Sequence, residues 1–220
     1  MSLSDIERAR FNMIEQQVRP WSVSSPRVLE LLARIKREDF VPDPQRALAF
    51  ADLEIALPGG QFMLSPKVQA RLLQDANVQP TDKVLEIGTG TGYLTALMAT
   101  QAQRVLSLEI IPELVSMAQA NLNHARLHNA EVRLADGSLG AAVDAPFDLI
   151  LLGGSVAEVP ATLLSQLRLG GRLVAIVGTE PLMHAQVITR TSDANYQREE
   201  KWDFTAPRLK NFHVPSTFKF

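Results

Sequence analysis

Three glycines at alternate positions, Glu86-Ile87-Gly88-Thr89-Gly90-Thr91-Gly92, directly follow the apolar run Lys83-Val84-Leu85-Glu86-Ile87. Glycine tolerates positive φ and lets a backbone approach a ligand closely, and the free N–H groups of a following helix add donors. A dinucleotide fingerprint would place its third glycine three residues after the second and keep the next position small. Here the interval is two, and bulky Tyr93 follows Gly92. A carboxylate at Glu86 beside the bound molecule suits the amino group and cationic sulfur of S-adenosylmethionine better than a pyrophosphate. Nicotinamide dinucleotide is the runner-up.

Two further acids support a nucleoside ligand. Glu109 closes the run Arg104-Val105-Leu106-Ser107-Leu108-Glu109, 21 positions after Gly88, where a carboxylate can accept both ribose hydroxyls. Asp136-Gly137 follows Glu131-Val132-Arg133-Leu134 and can receive an adenine amino group. Any one of these acids could be a solvated strand end; three ending successive strands beside one glycine turn argue for a shared ligand. The expected cofactor residues are Glu86, Gly88, Thr89, Gly90, Gly92, Tyr93, Glu109, Ile110, Asp136 and Gly137. This reading expects a hollow not filled by the protein's own side chains.

The elements that must hold these residues alternate. Ser4-x-x-Glu7 reads as a capping box before a helix over about 5–18, and Ser24-Ser25-Pro26 opens a second helix to about 36. Pro42, Pro44, Pro58, Gly59, Gly60 and Pro66 make 39–66 irregular, followed by a helix over 66–76. Strands are expected at 83–87, 104–109, 131–134, 147–152 and 172–177, then at about 184–190 and 200–204, with helices to about 100, from Pro112, and at 160–167. Gly170-Gly171 reads as a turn. The result is an α/β, doubly wound, mostly parallel seven-stranded sheet with helices on both faces and added N-terminal helices. We expect one domain over 1–220: helices and an acceptor-side loop over 1–66, a cofactor-binding core over 67–180, and C-terminal strands over 181–220.

Composition narrows the classes. The 220 residues carry a net charge of −2 with no basic stripe, which argues against nucleic acid. No apolar run is long enough for a membrane span, and the first residues lack a signal-peptide core, so a cytoplasmic location is expected. With no cysteine, thiolate catalysis and disulfides are excluded, and no metal centre is expected.

The segment from Val84 to Tyr93 resembles the first motif of class I methyltransferases, and more narrowly that of the protein-L-isoaspartate O-methyltransferase family. Met13-Ile14-Glu15-Gln16-Gln17-Val18-Arg19-Pro20, Phe40-Val41-Pro42, Ala47-Leu48-Ala49-Phe50-Ala51-Asp52 and Ala135-Asp136-Gly137-Ser138-Leu139-Gly140 resemble further segments of that family. The resemblance covers most of residues 11–180. It implies a Rossmann-like class I fold, S-adenosyl-L-methionine as cofactor, and methyl transfer to the carboxylate of an L-isoaspartyl residue in damaged protein, a repair reaction.

The chain departs from the family where Gly60-Gln61-Phe62-Met63-Leu64-Ser65-Pro66 puts Leu64 at the position of the family's acceptor-side serine, and Phe62 at that of a threonine. Leucine donates no hydrogen bond. Ser65, one residue late, is the catalytic candidate if the loop is shifted, and otherwise a cap for the helix at Pro66. The acceptor thus stays open between a protein or peptide carboxylate and a small molecule, with a non-catalytic binding module as the alternative. The tail Ala206-Pro207-Arg208-Leu209-Lys210-Asn211-Phe212 also differs from the family ending and is expected to reshape the substrate side.

Other constellations compete. Gly153-Gly154-Ser155-Val156-Ala157 approximates a nucleophile elbow without its final glycine, with His184 or His213 as bases; the alternative is a tight post-strand turn. His124 and His128 have helical zinc-ligand spacing but lack the intervening glutamate and a third ligand. Trp21, Phe40, Phe50 and Phe62 could line an apolar acceptor pocket, though core packing is the better expectation.

Overall fold

The computed structural model describes residues 3–214. Helix α1 (Leu3–Met13) continues into a wider π turn over Ile14–Val18 and a tight turn over Arg19–Trp21, which Ser22 ends at φ 62°. Ser4 and Glu7 lie inside α1, already helical at Leu3, so the expected capping box is not the helix start. Helix α2 (Pro26–Arg34) follows. Within the proline-rich stretch a hairpin forms that the sequence reading missed: β1 (Ile55–Leu57) pairs antiparallel with β2 (Gln61–Met63) around Gly59 and Gly60. Helix α3 (Pro66–Ala76) leads into the alternating core.

That core runs β3 (Lys83–Ile87), α4 (Tyr93–Ala99), β4 (Arg104–Glu109), α5 (Pro112–His124), β5 (Ala130–Leu134), β6 (Phe147–Val156), α6 (Ala161–Leu164), β7 (Leu167–Thr179), β8 (Leu182–Arg190) and β9 (Tyr196–Asp203). The seven-stranded sheet has the order β5-β4-β3-β6-β7-β8-β9. The five strands from β5 to β7 are parallel to one another, and β8 and β9 add antiparallel. Strand order reverses between β3 and β6, and at such a switch point the carboxyl ends leave a crevice.

The central strands are apolar on both faces, as parallel strands covered twice must be. Val84, Val105, Leu149 and Val174 pack with α1 to α5, whereas Leu85, Leu106, Ile150 and Leu173 face the other way. That second face is covered more thinly than expected: α6 is one short turn, and the crossover from β5 to β6 contains only tight turns over Gly137–Leu139 and Ala142–Asp144. Gly137, Gly140 and Pro146 account for this, because neither residue type sustains a helix interior. The expected Gly170-Gly171 turn is an insertion within β7; pairing with β6 jumps there from Leu167 to Arg172.

Candidate functional site

β3 ends in the glycine turn, whose Gly88, Gly90 and Gly92 have φ of 88°, 56° and 85°. Side chains at these positions would be strained. Close packing makes the same demand elsewhere around the crevice. A Cβ on Gly153 of β6 would lie 2.3 Å from the Gly88 carbonyl oxygen, and one on Gly137 would lie 2.3 Å from Ile87 Cγ2.

Glu86 lies beneath the turn rather than in the crevice. Its Oε2 accepts hydrogen bonds from Thr95 Oγ1 of α4 and, at 2.6 Å, from Ser107 Oγ of β4. Ser107 in turn meets Thr89 Oγ1 at 2.6 Å. The expected contact between this carboxylate and a ligand is therefore corrected: the alternation of β3 turns Glu86 into the helix-covered face, where it is fully buried. Burial pushes the carboxyl up to about 7 against those two hydrogen bonds, and Oε1 has no partner. Glu86 braces β3, β4, α4 and, through Ser107 and Thr89, the turn itself.

Glu109 does face the crevice. Its Oε2 accepts the Gly90 N–H at 2.9 Å, and its Oε1 accepts those of Ile110 and Ile111 at 2.9 and 3.0 Å. Asp136 accepts the Ser138 N–H at 2.9 Å through Oδ1 and the Asn211 amide at 2.7 Å through Oδ2. Gly88, Glu109, Ile110, Asp136 and Gly137 thus share one crevice at the carboxyl ends of β3, β4 and β5.

The expected open hollow is absent. Leu209, Lys210 and Phe212 of the tail line the same crevice and leave a cavity of about 30 Å³. That is room for one or two waters, against the several hundred Å³ that a cofactor of this size requires. The tail was assigned to the acceptor side; nothing in its composition reveals that it crosses the cofactor side. The donors and acceptors fit a nucleoside, and the volume does so only with the tail displaced.

Tyr93 lies between the glycine turn and the loop that carries Leu64. It is fully buried, tilted against Phe40 at 5.4 Å, and lines a cavity of about 20 Å³ with Phe62, Met63, Leu64, Gln69 and the turn residues Gly88, Thr89, Gly90 and Thr91. The buried Arg37 guanidinium, 5.2 Å from the Tyr93 ring, donates to the carbonyls of Ala49 (2.9 Å) and Leu64 (2.8 Å) and to Gln69. Burial lowers Arg37 to about 10. Arg37 was not among the expected residues, yet it fixes the loop that carries Leu64. Leu64 is buried and Phe62 is 45% exposed. Ser65 is buried, lies outside the residues lining that cavity, and neither caps α3 nor finds another hydrogen-bond partner for its hydroxyl. The shifted-loop role has no support in this placement.

The nucleophile elbow is also corrected. Gly153, Gly154 and Ser155 lie within β6, and Ser155 Oγ donates to the Ala206 carbonyl at 2.7 Å. His184 Nδ1 is paired at 2.6 Å with Asp203 Oδ1. α5 ends at His124 and Arg126 adopts φ 58°, so His128 lies past the helix; no cluster of three metal-ligating side chains occurs among the described residues. Trp21 packs edge-on against Trp202 (5.2 Å) and Phe204 (5.8 Å), while Phe40 and Phe50 join the core. No helix among the described residues is long and apolar enough to cross a membrane.

Comparison with known proteins bears on this arrangement. Residues 8–205 match the model of the protein-L-isoaspartate(D-aspartate) O-methyltransferase family. A protein-L-isoaspartate O-methyltransferase 2 from Marinobacter nauticus is 41% identical over 202 residues, 91% of each chain. The enzyme of that family name from Koribacter versatilis is 40% identical over 193 residues, 88% of this chain and 86% of its own. The fold matches that of a Plasmodium falciparum protein-L-isoaspartate O-methyltransferase solved with S-adenosyl-L-homocysteine, at a TM-score of 0.78 and 18% identity, covering 93% of this chain and 97% of that one. The chain belongs to the protein-L-isoaspartate(D-aspartate) O-methyltransferase family and is, with it, an S-adenosylmethionine-dependent O-methyltransferase.

Proposed function

We propose that the chain methylates a carboxylate oxygen of a protein or peptide acceptor, with isoaspartyl residues as the first acceptor class, working as one cytoplasmic domain over 1–220. The observation that carries this is the convergence of Gly88 of the turn with the Glu109 and Asp136 carboxylates on one crevice at a strand-order reversal. When bound, S-adenosylmethionine supplies an electrophilic methyl group on a cationic sulfur. Glu109 accepts the ribose hydroxyls and Asp136 the adenine amino group. Gly88, Thr89, Gly90 and Gly92 let the backbone approach, and Ile110 and Gly137 shape the adenosine walls. Glu86 and Tyr93 act from behind, as supports of the turn and of the acceptor wall.

A carboxylate acceptor is already ionised near neutral pH, so the protein has no proton to remove. Its task is to align the acceptor oxygen and exclude water. The apolar lining from Phe62, Met63 and Leu64 suits exclusion of water, and Arg37 holds the carbonyl of Leu64 in place.

A second reading rests on Leu64. A buried leucine where the family has a hydroxyl fits either an acceptor of different chemistry or binding without transfer. Tritiated methyl transfer offered to an isoaspartyl peptide and, separately, to whole-cell protein distinguishes these readings, with Glu109→Ala as the control that loses all label. Labelled peptide is the expected result. Label in the extract alone moves the acceptor elsewhere, and none in either sample overturns catalysis.

A further inference from the structure

The tail is built into the crevice from several sides. After β9 the chain runs beside the carboxyl end of β6: the Ser155 N–H donates to the Pro207 carbonyl at 2.8 Å, and the Leu209 N–H donates to the Ser155 carbonyl at 2.9 Å. Arg208 reaches the Gly178 carbonyl at 2.5 Å. The Leu209 side chain lies on the glycine turn, where a Cβ on Gly88 would be 2.6 Å from its Cδ2. Lys210 Nζ donates to the Gly59 carbonyl at 3.0 Å, tying the tail to the β1–β2 hairpin. Asn211, at φ 64°, donates its amide to Asp136 at 2.7 Å, and Phe212 completes the crevice lining.

These contacts copy the chemistry of a nucleoside. The Asn211 amide offers Asp136 the same N–H donor that an adenine amino group would. Leu209 covers Gly88, the turn glycine that lines the crevice, and Phe212 adds an apolar ring to the same lining. The family match ends at residue 205, immediately before this segment.

We propose that residues 207–212 are an intramolecular competitor for the cofactor, a strap that must leave the crevice before S-adenosylmethionine enters. The inference rests on the cofactor reading above. A closed strap reduces apparent affinity by the fraction of molecules in which it is open. Because Lys210 holds Gly59, movement of the acceptor hairpin loosens the strap, which couples acceptor engagement to cofactor access.

Calorimetric titration of the full chain with S-adenosylhomocysteine tests this, using wild type, Asn211→Asp and Leu209→Ala. Asn211→Asp sets two carboxylates against each other, and Leu209→Ala uncovers the turn by an independent route. Asn211→Asp is expected to bind roughly tenfold or more tightly than wild type, the size of effect a lost charge-assisted hydrogen bond produces, and Leu209→Ala by a factor of about ten, from the apolar burial it removes. Hydrogen exchange of the Leu209 amide supplies a second readout: saturating ligand must deprotect it in wild type. Equal affinities in all three proteins with Leu209 still protected overturn the strap and leave the cofactor reading standing. No binding by any of the three at millimolar ligand, with all three folded by circular dichroism, overturns the cofactor reading and the strap with it.

Discussion

The glycine turn and the tail face each other across one crevice, and they are held there by different kinds of interaction. The turn is set by local sequence, with three glycines at positive φ, and is braced from below by Glu86 through Ser107 and Thr89. The tail, at Leu209 to Phe212, belongs to no strand or helix and is held by single hydrogen bonds to Ser155, Gly59 and Asp136 and by the half-buried side chains of Leu209 and Phe212. A region supported by a fully buried network resists displacement, while one held by a few hydrogen bonds and two half-buried side chains opens at lower free energy. The braced wall of the crevice lies inside the segment that matches the family, and the tail wall lies beyond its end at residue 205.

The contrast breaks most severely at Gly153. Gly153→Ala forces a Cβ to within 2.3 Å of the Gly88 carbonyl oxygen, and the clash is with backbone that the braced turn cannot move. A loss of about 3 kcal/mol in urea unfolding is expected, at the upper end of typical overpacking, together with loss of S-adenosylhomocysteine binding. Gly170→Ala is the control: its φ is 78° but nothing lies within 4 Å, so it should cost only about 1 to 2 kcal/mol for the strained backbone and leave binding intact. Equal losses in the two variants would show that the wall is not rigid.

The two regions also differ in how far the sequence reveals them. The strands at 83–87 and 104–109 and the helix at 66–76 match the expected boundaries because apolar runs and proline or glycine stops are local signals. Glu109 and Asp136 reach the crevice because strand ends in a parallel sheet converge there. Glu86 was assigned to the crevice by proximity to the turn, but the two-residue alternation of a strand turns its side chain away. Residues 206–212 carry no periodicity, and their position depends on partners 30 to 151 positions earlier in the chain. The Arg37 contacts are non-local in the same way, joining Ala49, Leu64 and Gln69.

Glu86 sharpens the comparison through pH. Its folded carboxyl is raised by burial from the ordinary 4.5 to about 7, so between those values the folded protein retains a proton that the unfolded chain has released. Stability falls as pH rises through that window and then levels off, by about 3 kcal/mol in all. Glu86→Gln abolishes this slope while keeping an oxygen that can accept from Thr95 and Ser107. Urea unfolding at about pH 5 and about pH 8 should show the variant gaining on wild type as pH rises; parallel curves would mean that Glu86 is ionised where it lies.

The smallest expected change in stability is at the acceptor wall. Phe62 is 45% exposed on β2, whereas its neighbours Met63 and Leu64 are buried. An aromatic ring that contributes little to the core but lines the cavity beside the glycine turn is placed, on the proposed function, to meet the acceptor rather than to hold the fold. Phe62→Ser should shift unfolding stability by no more than about 0.5 kcal/mol, the range of surface substitutions. In methyl transfer to an isoaspartyl peptide it should raise KM several-fold and leave kcat nearly unchanged, because the ring binds the acceptor before and during transfer alike. A fall in kcat at constant KM would instead assign Phe62 to alignment of the reacting groups, and no kinetic change would separate the acceptor path from the hairpin altogether.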